Sequence, residues 1–370
     1  MIIYHSMILW IIIWGSYYSL AKRRKRLALR KETTNMVPLN IAVVTFGYII
    51  FWAGIRSGVA DTSNYIYMFR HCSRDLVDIL ACWNSDNKAP GFDTFNILFK
   101  HFVSANYHNW LMTIAIISGV PIMLTIRKHS EHFFYSVFLF IVTLNFTWML
   151  NGIRQFVVVA ILFKTSDWIV EKKTYKFLLV VLLLSTVHYT ALIMIPVYWI
   201  VQERPFGKKI IFFTIVLLVS ILFFEPFVDV LEVTLADTAY SGYTKQFAMD
   251  DGVNPIRFVV MLVPTLIAFV GRRKIIQMND VYINLCVNMS TVAAGLYFLG
   301  IFTSGILIGR LPIYFELYNL ILLPYLLKVC FKKQSSRVMY LLCTIGFLLF
   351  YYLQRGSLYY ISDLTGLILD

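Results

Sequence analysis

Long apolar runs, separated by short basic segments, recur along the whole 370-residue chain. Several approach or reach the roughly 20 residues that a helix needs to cross a bilayer; examples are residues 2–20, 39–52, 110–126, 133–150, 210–224 and 338–353. The chain is 59% hydrophobic and only 14% charged, and no water-soluble core of this size could bury so many such runs. The sequence therefore predicts an all-α, polytopic integral membrane protein with about ten transmembrane helices.

Six basic segments between the apolar runs hold 22 of the 33 Lys and Arg residues; they are 22–31, 127–128, 172–176, 204–209, 272–274 and 328–337. Because Lys and Arg resist translocation, we expect these segments on the cytoplasmic side. The net charge of +13 is dispersed over membrane loops, and no folded basic domain carries it. This dispersal argues against nucleic acid as a partner.

The stretch 177–201 must enter the membrane and return if all six basic segments are to face the cytoplasm. As a single span, it would place every later basic segment outside. Polar residues interrupt it at 185–190, around His188. We therefore predict a re-entrant or broken hairpin with His188 near its tip, and both chain termini outside. Irregular backbone at that depth must line a wet cavity or be buried in protein.

Two external segments, about 55–107 and 225–254, follow from this topology. In the first, aromatic and aliphatic residues recur at helical spacing over 91–103, at Phe92, Phe95, Leu98, Phe99 and Phe102. This spacing predicts an amphipathic helix that lies on the outer membrane surface. Cys72 and Cys82 also lie in this segment, and their spacing leaves open whether they pair.

The first candidate site is the stretch RSGVADTSNY, which begins at Arg56 after the second predicted span. Gly58 permits a turn, and Thr62 or Asp61 suits the N-cap of a helix that carries Tyr65. The Arg56 guanidinium can hold a phosphate by charge and by its fork of donors. Asp61 can orient or deprotonate a hydroxyl group. A snorkelling arginine and a capping aspartate are the alternative interpretation.

Two further candidates lie farther along the chain. Asn151, Arg154 and Gln155 share one face if the segment is helical, and an arginine flanked by amides suits an anionic, hydroxyl-rich ligand. The alternative is a hydrogen-bonded helix start. His188, with Thr190 beside it, is either a structural histidine or a base and phosphate donor.

The last candidate is the stretch GRLPIYFE, in which Arg310 precedes Pro312 and Tyr314. Arg310 suits contact with an anion, whereas Glu316 is either its partner or a buried polar residue. Charges at the membrane boundary are costly and therefore indicate function. Three arginines, a histidine and an aspartate around a membrane cavity favour a lipid substrate that carries pyrophosphate.

No nucleotide-binding loop and no Asp-x-Asp metal motif occurs in the sequence, so we expect no cofactor and no metal. An enzyme outside the cytoplasm has no access to ATP or to nucleotide sugars. A lipid-linked donor with its own pyrophosphate leaving group solves that problem.

The chain resembles the EpsG family of polysaccharide polymerases, which is related to the Wzy-type O-antigen polymerases. The resemblance rests on four elements in the family's order: Arg56, Gly58, Asp61, Thr62 and Tyr65; Asn151, Ile153, Arg154 and Gln155; His188, Thr190 and Pro196; and Arg310, Pro312, Tyr314 and Phe315. It implies a single GT-C-like membrane glycosyltransferase domain over 1–370. Such an enzyme joins repeat units held on undecaprenyl pyrophosphate, at the outer face of the bacterial inner membrane.

The resemblance also implies roles for the candidate residues. Arg154 and Arg310 would stabilise the leaving pyrophosphate, and Arg56 would either assist them or position the acceptor lipid. His188 or Asp61 would accept the proton of the acceptor hydroxyl, and the sequence does not choose between them. The expected substrate-binding residues are Tyr65, Asn151, Gln155, Tyr240, Tyr243 and Tyr314. The expected partners are lipid-linked oligosaccharides, membrane lipid and a chain-length regulator protein.

Two rival functions remain open from the sequence. A membrane O-acyltransferase acting on surface glycans also has about ten spans, but it handles its acyl donor near the cytoplasm, whereas the candidates here are external. A flippase of lipid-linked oligosaccharides commonly has two related halves with charges along a central path, and neither feature is evident.

Overall fold

The computed structural model describes residues 2–29, 36–84, 87–224, 252–305, 308–355 and 359–369. These residues are mostly helical, and a single two-stranded hairpin occurs among them. The chain packs as two compact units, one of Met1–Met194 with Phe347–Asp370 and the other of Ile195–Gly346. The all-α prediction is confirmed apart from the hairpin. A single domain over 1–370 stays a prediction.

The first unit contains eleven described α-helices and a 3-10 helix. The helices are α1 Ile2–Leu29, α2 Leu39–Gly54, α3 Thr62–His71, α4 Asp78–Cys82, α5 Pro90–Phe102, α6 Tyr107–His129, α7 Phe133–Val142, α8 Asn145–Leu150, α9 Ile153–Lys164, α10 Ser166–Val170 and α11 Thr174–Ser185, followed by the 3-10 helix Tyr189–Ile193. Strands β1 Tyr360–Ser362 and β2 Leu367–Leu369 pair antiparallel, with Ile361 opposite Ile368.

Helix α6 packs against both α2 and α9 at the centre of this unit. α2 buries one face at helical spacing, formed by Ala42, Thr45, Phe46, Ile49, Ile50 and Ala53. Gly119 of α6 lies so close to Ile50 that a β-carbon there would meet Ile50 Cγ1 at 2.4 Å. This packing fixes the positions of α2 and α9. Arg56 follows the end of α2, and Arg154 lies in the first turn of α9.

The second unit is arranged around one buried helix. Its described helices are α12 Met194–Ile200, which starts in the first unit, α13 Lys208–Leu222, α14 Pro255–Val270, α15 Arg272–Met278, α16 Val281–Ile301, the 3-10 helix Ile308–Arg310, α17 Ile313–Glu316, α18 Asn319–Val329 and α19 Lys333–Gln354, which ends in the first unit. α16 contacts α13, α14, α17 and α18. The Asp280 carboxylate caps it by accepting from the backbone N–H groups of Tyr282 and Ile283.

Three described helices are long and apolar enough to cross a membrane: Tyr107–His129, Val281–Ile301 and Lys333–Gln354. α14 and α15, bent by 71° at their junction, would together make a fourth. Shorter apolar helices, such as α2, α7, α11 and α18, accompany them. The chain is a multi-pass membrane protein. A count of about ten spans and a GT-C-like arrangement stay predictions.

The predicted break around His188 is present. Helix α11 ends at Ser185, and the 3-10 helix after His188 packs back against α11. His188 itself is in an extended conformation and precedes the 3-10 helix. The break is therefore confirmed, whereas re-entry into the membrane stays a prediction.

The segment 55–107, which the sequence predicts to be external, contains three short described helices, α3, α4 and α5. The predicted helix is confirmed as α5, but part of the apolar face expected on the membrane surface is buried in protein instead. Phe92 and Phe99 are buried in a cluster with Phe69 and Trp110. The ring of Phe99 contacts Phe69 of α3, and the ring of Phe92 contacts Trp110 of α6. Exposed apolar side chains on α5 are Leu98 and Phe102.

Two other expectations for the predicted external segments concern the substrate-binding tyrosines and the cysteine pair. Most of the second segment lies outside the described residues, and so do Tyr240 and Tyr243. Cys72 and Cys82 are free thiols in this structure. Burial raises the pKa of both thiols.

Candidate functional site

Arg56 lies in the short loop between α2 and α3, and its side chain is only 1% exposed. Its Nε donates to Thr62 Oγ1 at 3.0 Å, and its Nη1 donates to the carbonyl of Ala53. Nη2 is buried and has no hydrogen-bond partner among the described residues. The contacts of this guanidinium are therefore with neutral oxygens, and no carboxylate ion pair involves it within the described part of the chain.

Burial lowers the pKa of Arg56 to about 10, and the nearby hydroxyl groups of Tyr360 and Tyr4 act in the opposite direction. At neutral pH the guanidinium still carries its positive charge. A buried charge that only neutral groups contact is energetically costly. Arg56 is therefore suited to meet an anionic ligand.

Arg154 is the second residue of α9, and the glycine before this helix permits the turn that starts it. Gly152 precedes the helix with φ of 63°, a left-handed conformation that favours glycine. The Arg154 guanidinium lies 5.9 Å from the ring centroids of both Tyr65 and Phe92, within the range of a cation–π interaction. Its Nε is buried without a hydrogen-bond partner among the described residues.

Helix α3 connects the two arginines. Thr62, at its first position, accepts from Arg56, and Tyr65, nearly one turn later, lies under Arg154. Tyr65 is largely buried in the same aromatic cluster as Phe92. Helix α3 thus connects three residues that belong to two separate sequence motifs: Arg56, Tyr65 and Arg154.

Asp61 occupies the N-cap position of α3, but its side chain makes no capping hydrogen bond. The residue at the same position before α16, Asp280, does cap its helix with its carboxylate. An aspartate at an N-cap position of this protein can therefore form the capping hydrogen bond. No hydrogen bond or ion pair of the Asp61 carboxylate occurs among the described residues. The half-buried Asp61 carboxylate therefore does not cap α3. This observation contradicts the alternative interpretation of Asp61 as a capping aspartate.

His188 belongs to the segment that follows α11. Its neighbour Val187 packs against the cluster of Tyr65 and Phe92. The carbonyl of Thr186 accepts from the Gly91 N–H at 2.9 Å, and a β-carbon at Gly91 would collide with Thr186. The His188 segment is thus fixed against the start of α5.

The amide residues near Arg154 are arranged differently from the prediction. Asn151 lies before the helix, with extended backbone, so it does not share a helical face with Arg154 and Gln155. The reason is Gly152, whose left-handed backbone interrupts the helix. Asn151 Oδ1 is buried without a partner within the described ranges, and the Gln155 side chain is buried.

Arg310, Tyr314 and Glu316 belong to the second unit. Arg310 is exposed, whereas Tyr314 is buried. Glu316 is 1% exposed, which supports its interpretation as a buried polar residue. Its Oε2 accepts from Tyr297 Oη at 2.6 Å and lies 3.6 Å from Arg257 Nη2. Among the described ion pairs, the arginine beside Glu316 is therefore Arg257.

Sequence reasoning missed Arg257 and Tyr297. Arg257 Nε also donates to Tyr297 Oη at 3.0 Å, which completes a buried triad with Glu316. A signal was present, because Arg257 is a charged residue inside the apolar run of α14. Within the described ranges, no group of three or more His, Cys, Asp or Glu could hold a metal ion.

The fold is that of a mostly helical, multi-pass membrane protein, and in its first unit Arg56 and Arg154 both contact residues of α3. The EpsG family model matches residues 39–359, so the chain belongs to the EpsG family. No curated protein and no solved structure matches it. Membership of this family supports a glycosyltransferase-like polysaccharide polymerase.

Proposed function

We propose that this protein joins oligosaccharide repeat units held on undecaprenyl pyrophosphate, at the outer face of the bacterial inner membrane. The growing glycan on its lipid is the donor, and a hydroxyl of the next lipid-linked unit is the acceptor. The product is O-antigen, capsule or exopolysaccharide. Family membership supports the reaction class, and the chemistry of the arginines supports the pyrophosphate donor.

The observation that carries this proposal is the pair Arg56 and Arg154. Each has a buried guanidinium nitrogen without a hydrogen-bond partner, and neither forms an ion pair with a carboxylate among the described residues. Buried charges in proteins are usually paired, and an unpaired charge at a membrane boundary indicates a functional site. Two such cations, linked through α3, suit the two phosphates of a pyrophosphate leaving group.

In the reaction, the acceptor oxygen bonds to the anomeric carbon of the donor as the bond from that carbon to the pyrophosphate oxygen breaks. The electron pair leaves with undecaprenyl pyrophosphate, where negative charge develops. Arg154 and Arg56, already in place, stabilise that charge without reorganisation. A single displacement of this kind inverts the anomeric configuration.

We assign the proton of the acceptor hydroxyl to Asp61 rather than to His188. The Asp61 carboxylate does not cap α3. Asp61 is also the residue directly before Thr62, which accepts a hydrogen bond from Arg56. A carboxylate with unoccupied lone pairs can accept the proton as the hydroxyl attacks. Asp61→Asn should therefore lower polymer formation far more than His188→Gln, and the reverse order would reassign the base. Arg310, in the second unit, keeps its predicted role as a further anion contact.

Glycan profiles of a deletion strain test the proposal. Complementation with the wild type should restore a ladder of long chains. Arg154→Ala and Arg56→Ala should each lower polymer by about 100-fold or more, as expected when one donor to a developing anion is lost. Arg74→Ala, an exposed arginine in the same external segment, is the matched control and should support a full ladder.

The same profiles separate the rival functions. Single-repeat products in the deletion strain support the polymerase. Full-length chains that differ only in acylation would identify an O-acyltransferase, and accumulation of untranslocated lipid-linked units would identify a flippase. Normal ladders from both arginine variants would remove the proposed pyrophosphate site.

A further inference from the structure

The C-terminal hairpin, β1 with β2, is attached to the loop that carries Arg56. The family match ends at residue 359, and the hairpin begins at Tyr360. Ile361 pairs with Gly58 as an isolated antiparallel bridge. Its carbonyl accepts from Ser57 N–H at 2.8 Å and from Gly58 N–H at 3.3 Å, and its own N–H donates to the Gly58 carbonyl at 3.2 Å.

Two side chains of the hairpin also form hydrogen bonds to the backbone that precedes Arg56. Ser362 Oγ donates to the carbonyl of Ile55, the residue before Arg56, at 2.6 Å. Tyr360 Oη donates to the carbonyl of Trp52 in the last turn of α2, also at 2.6 Å. The residues directly before and directly after Arg56 are therefore both hydrogen-bonded to the hairpin.

The far end of the hairpin is tied to α6. Tyr107 Oη donates to Asp363 Oδ2, and His108 Nε2 lies 3.8 Å from the same oxygen. Asp363 N–H donates to Ser57 Oγ at 3.1 Å. Burial would raise the pKa of Asp363, but the hydrogen bonds from Tyr107 and Ser57 outweigh it and lower the pKa. Asp363 is thus an ionised anchor between α6 and the Arg56 loop.

We propose that this hairpin is a positioning element that fixes the Arg56 guanidinium for catalysis. An arginine side chain has many rotamers, and a loop backbone adds more freedom. Hydrogen bonds on both sides of Arg56 remove the backbone freedom before substrate binds, which preorganises the charge. The inference rests on the proposed role of Arg56, and it assigns a function to residues beyond the family match.

The first test is the rate of polymer formation by the full-length protein with Ser362→Ala. This variant removes the bond to Ile55 and should lower the rate roughly 2- to 10-fold, the range for one hydrogen bond. Leu364→Ala, an exposed position in the same hairpin turn, is the matched control and should keep the wild-type rate.

A double-variant comparison separates positioning from general stability. In an Arg56→Lys background, Ser362→Ala should lower the remaining rate less than twofold. The reason is that the guanidinium group, which the Ser362 hydrogen bond helps to position, is absent from this background. An equal loss in both backgrounds would overturn the inference, since the hairpin would then act independently of Arg56.

Amide hydrogen exchange provides a readout that does not depend on activity. Tyr360→Phe and Ser362→Ala should speed exchange at Ser57 and Gly58, while amides of α16 stay as in the wild type. Unchanged exchange at Ser57 and Gly58 would overturn the hairpin's role. Faster exchange combined with full activity of Arg56→Ala would instead refute the proposed function of Arg56.

Discussion

At the scale of single residues, two buried arginines are used in different ways. Arg257 lies 3.6 Å from the carboxylate of Glu316, which compensates its charge within the protein. Arg56 contacts only the neutral oxygens of Thr62 and Ala53. One arginine is therefore compensated within its unit, whereas the other has no carboxylate partner among the described residues, and the proposed function assigns it the anionic ligand.

The cation–π contacts of Arg154 give a residue-scale prediction. Phe92→Leu keeps an apolar side chain but removes one of the two rings beside the guanidinium. Loss of about 1 kcal/mol of interaction should lower the polymerisation rate about fivefold. Phe95→Leu, on the same helix and in the same cluster, is the control. Equal rates for the two variants in a glycan elongation assay would contradict the role of the ring.

The buried triad of the second unit predicts an asymmetry in stability. Glu316→Gln leaves Arg257 without its compensating charge and should cost about 3 kcal/mol of unfolding free energy. Glu203→Gln alters a partly exposed pair with Lys209 at 4.0 Å and should cost less than about 1 kcal/mol. Thermal unfolding midpoints in one detergent compare the variants. Similar shifts for both would show that the triad does not stabilise the unit.

The sequence identified Arg56, Asp61 and Arg154 as candidates because boundary charges in an apolar chain stand out, and Tyr65 because it follows Asp61 in the same motif. It could not identify the partners of these residues. The contact of Arg154 with Phe92 joins residues far apart in the chain, and only tertiary packing creates it.

At the scale of elements, apolar length predicted several helices closely. The runs 39–52, 110–126 and 338–353 correspond to α2, α6 and α19. The run 133–150 instead divides into α7 and α8, because Leu144 adopts a left-handed conformation with φ of 66°. No glycine or proline marks that break in the sequence, so composition could not reveal it.

The start of α9 shows why the polar spacing was misleading. Residues 151–155 satisfy a helical spacing, yet Gly152 turns the backbone and excludes Asn151 from the helix. The same glycine could have been interpreted as a helix start. The C-terminal hairpin was not predicted, since strands of three residues carry almost no periodic signal.

Because α6 packs closely on α2, we expect that a side chain larger than that of glycine at position 119 destabilises the protein. Gly119→Val would place new atoms against Ile50 and should cost about 1–3 kcal/mol through overpacking. Gly47→Val on α2 is the matched control, because a β-carbon at Gly47 meets no atom within 4 Å. The measurement is thermal unfolding of both variants. A Gly119→Val midpoint equal to that of Gly47→Val would contradict the close packing.

At the scale of the whole molecule, the basic segments predict which loops share a side of the membrane. They place Lys176 and Arg204 both in the cytoplasm, with the His188 break between them. The break itself is present, as the end of α11 at Ser185 shows. The side of the membrane that each loop faces stays a prediction from charge asymmetry, and the arrangement of the helices requires packing information that the sequence does not contain.

Cysteine labelling in intact cells tests the topology. In a background without the five native cysteines, Lys176→Cys and Arg204→Cys should both be protected from a membrane-impermeant maleimide. Tyr189→Cys, at an exposed position, should react from outside. Labelling of only one of the first two positions would show a single span across 177–201 and would refute the hairpin.

The proposed reaction is tested by measuring the release of polyprenyl pyrophosphate by purified protein in proteoliposomes supplied with a defined lipid-linked repeat unit. We predict one lipid pyrophosphate released for each glycosidic bond formed, with lengthening of the glycan. Arg154→Ala should abolish both, whereas Arg74→Ala should not. Glycan lengthening without release of lipid pyrophosphate, or release that Arg154→Ala leaves unchanged, would contradict the account.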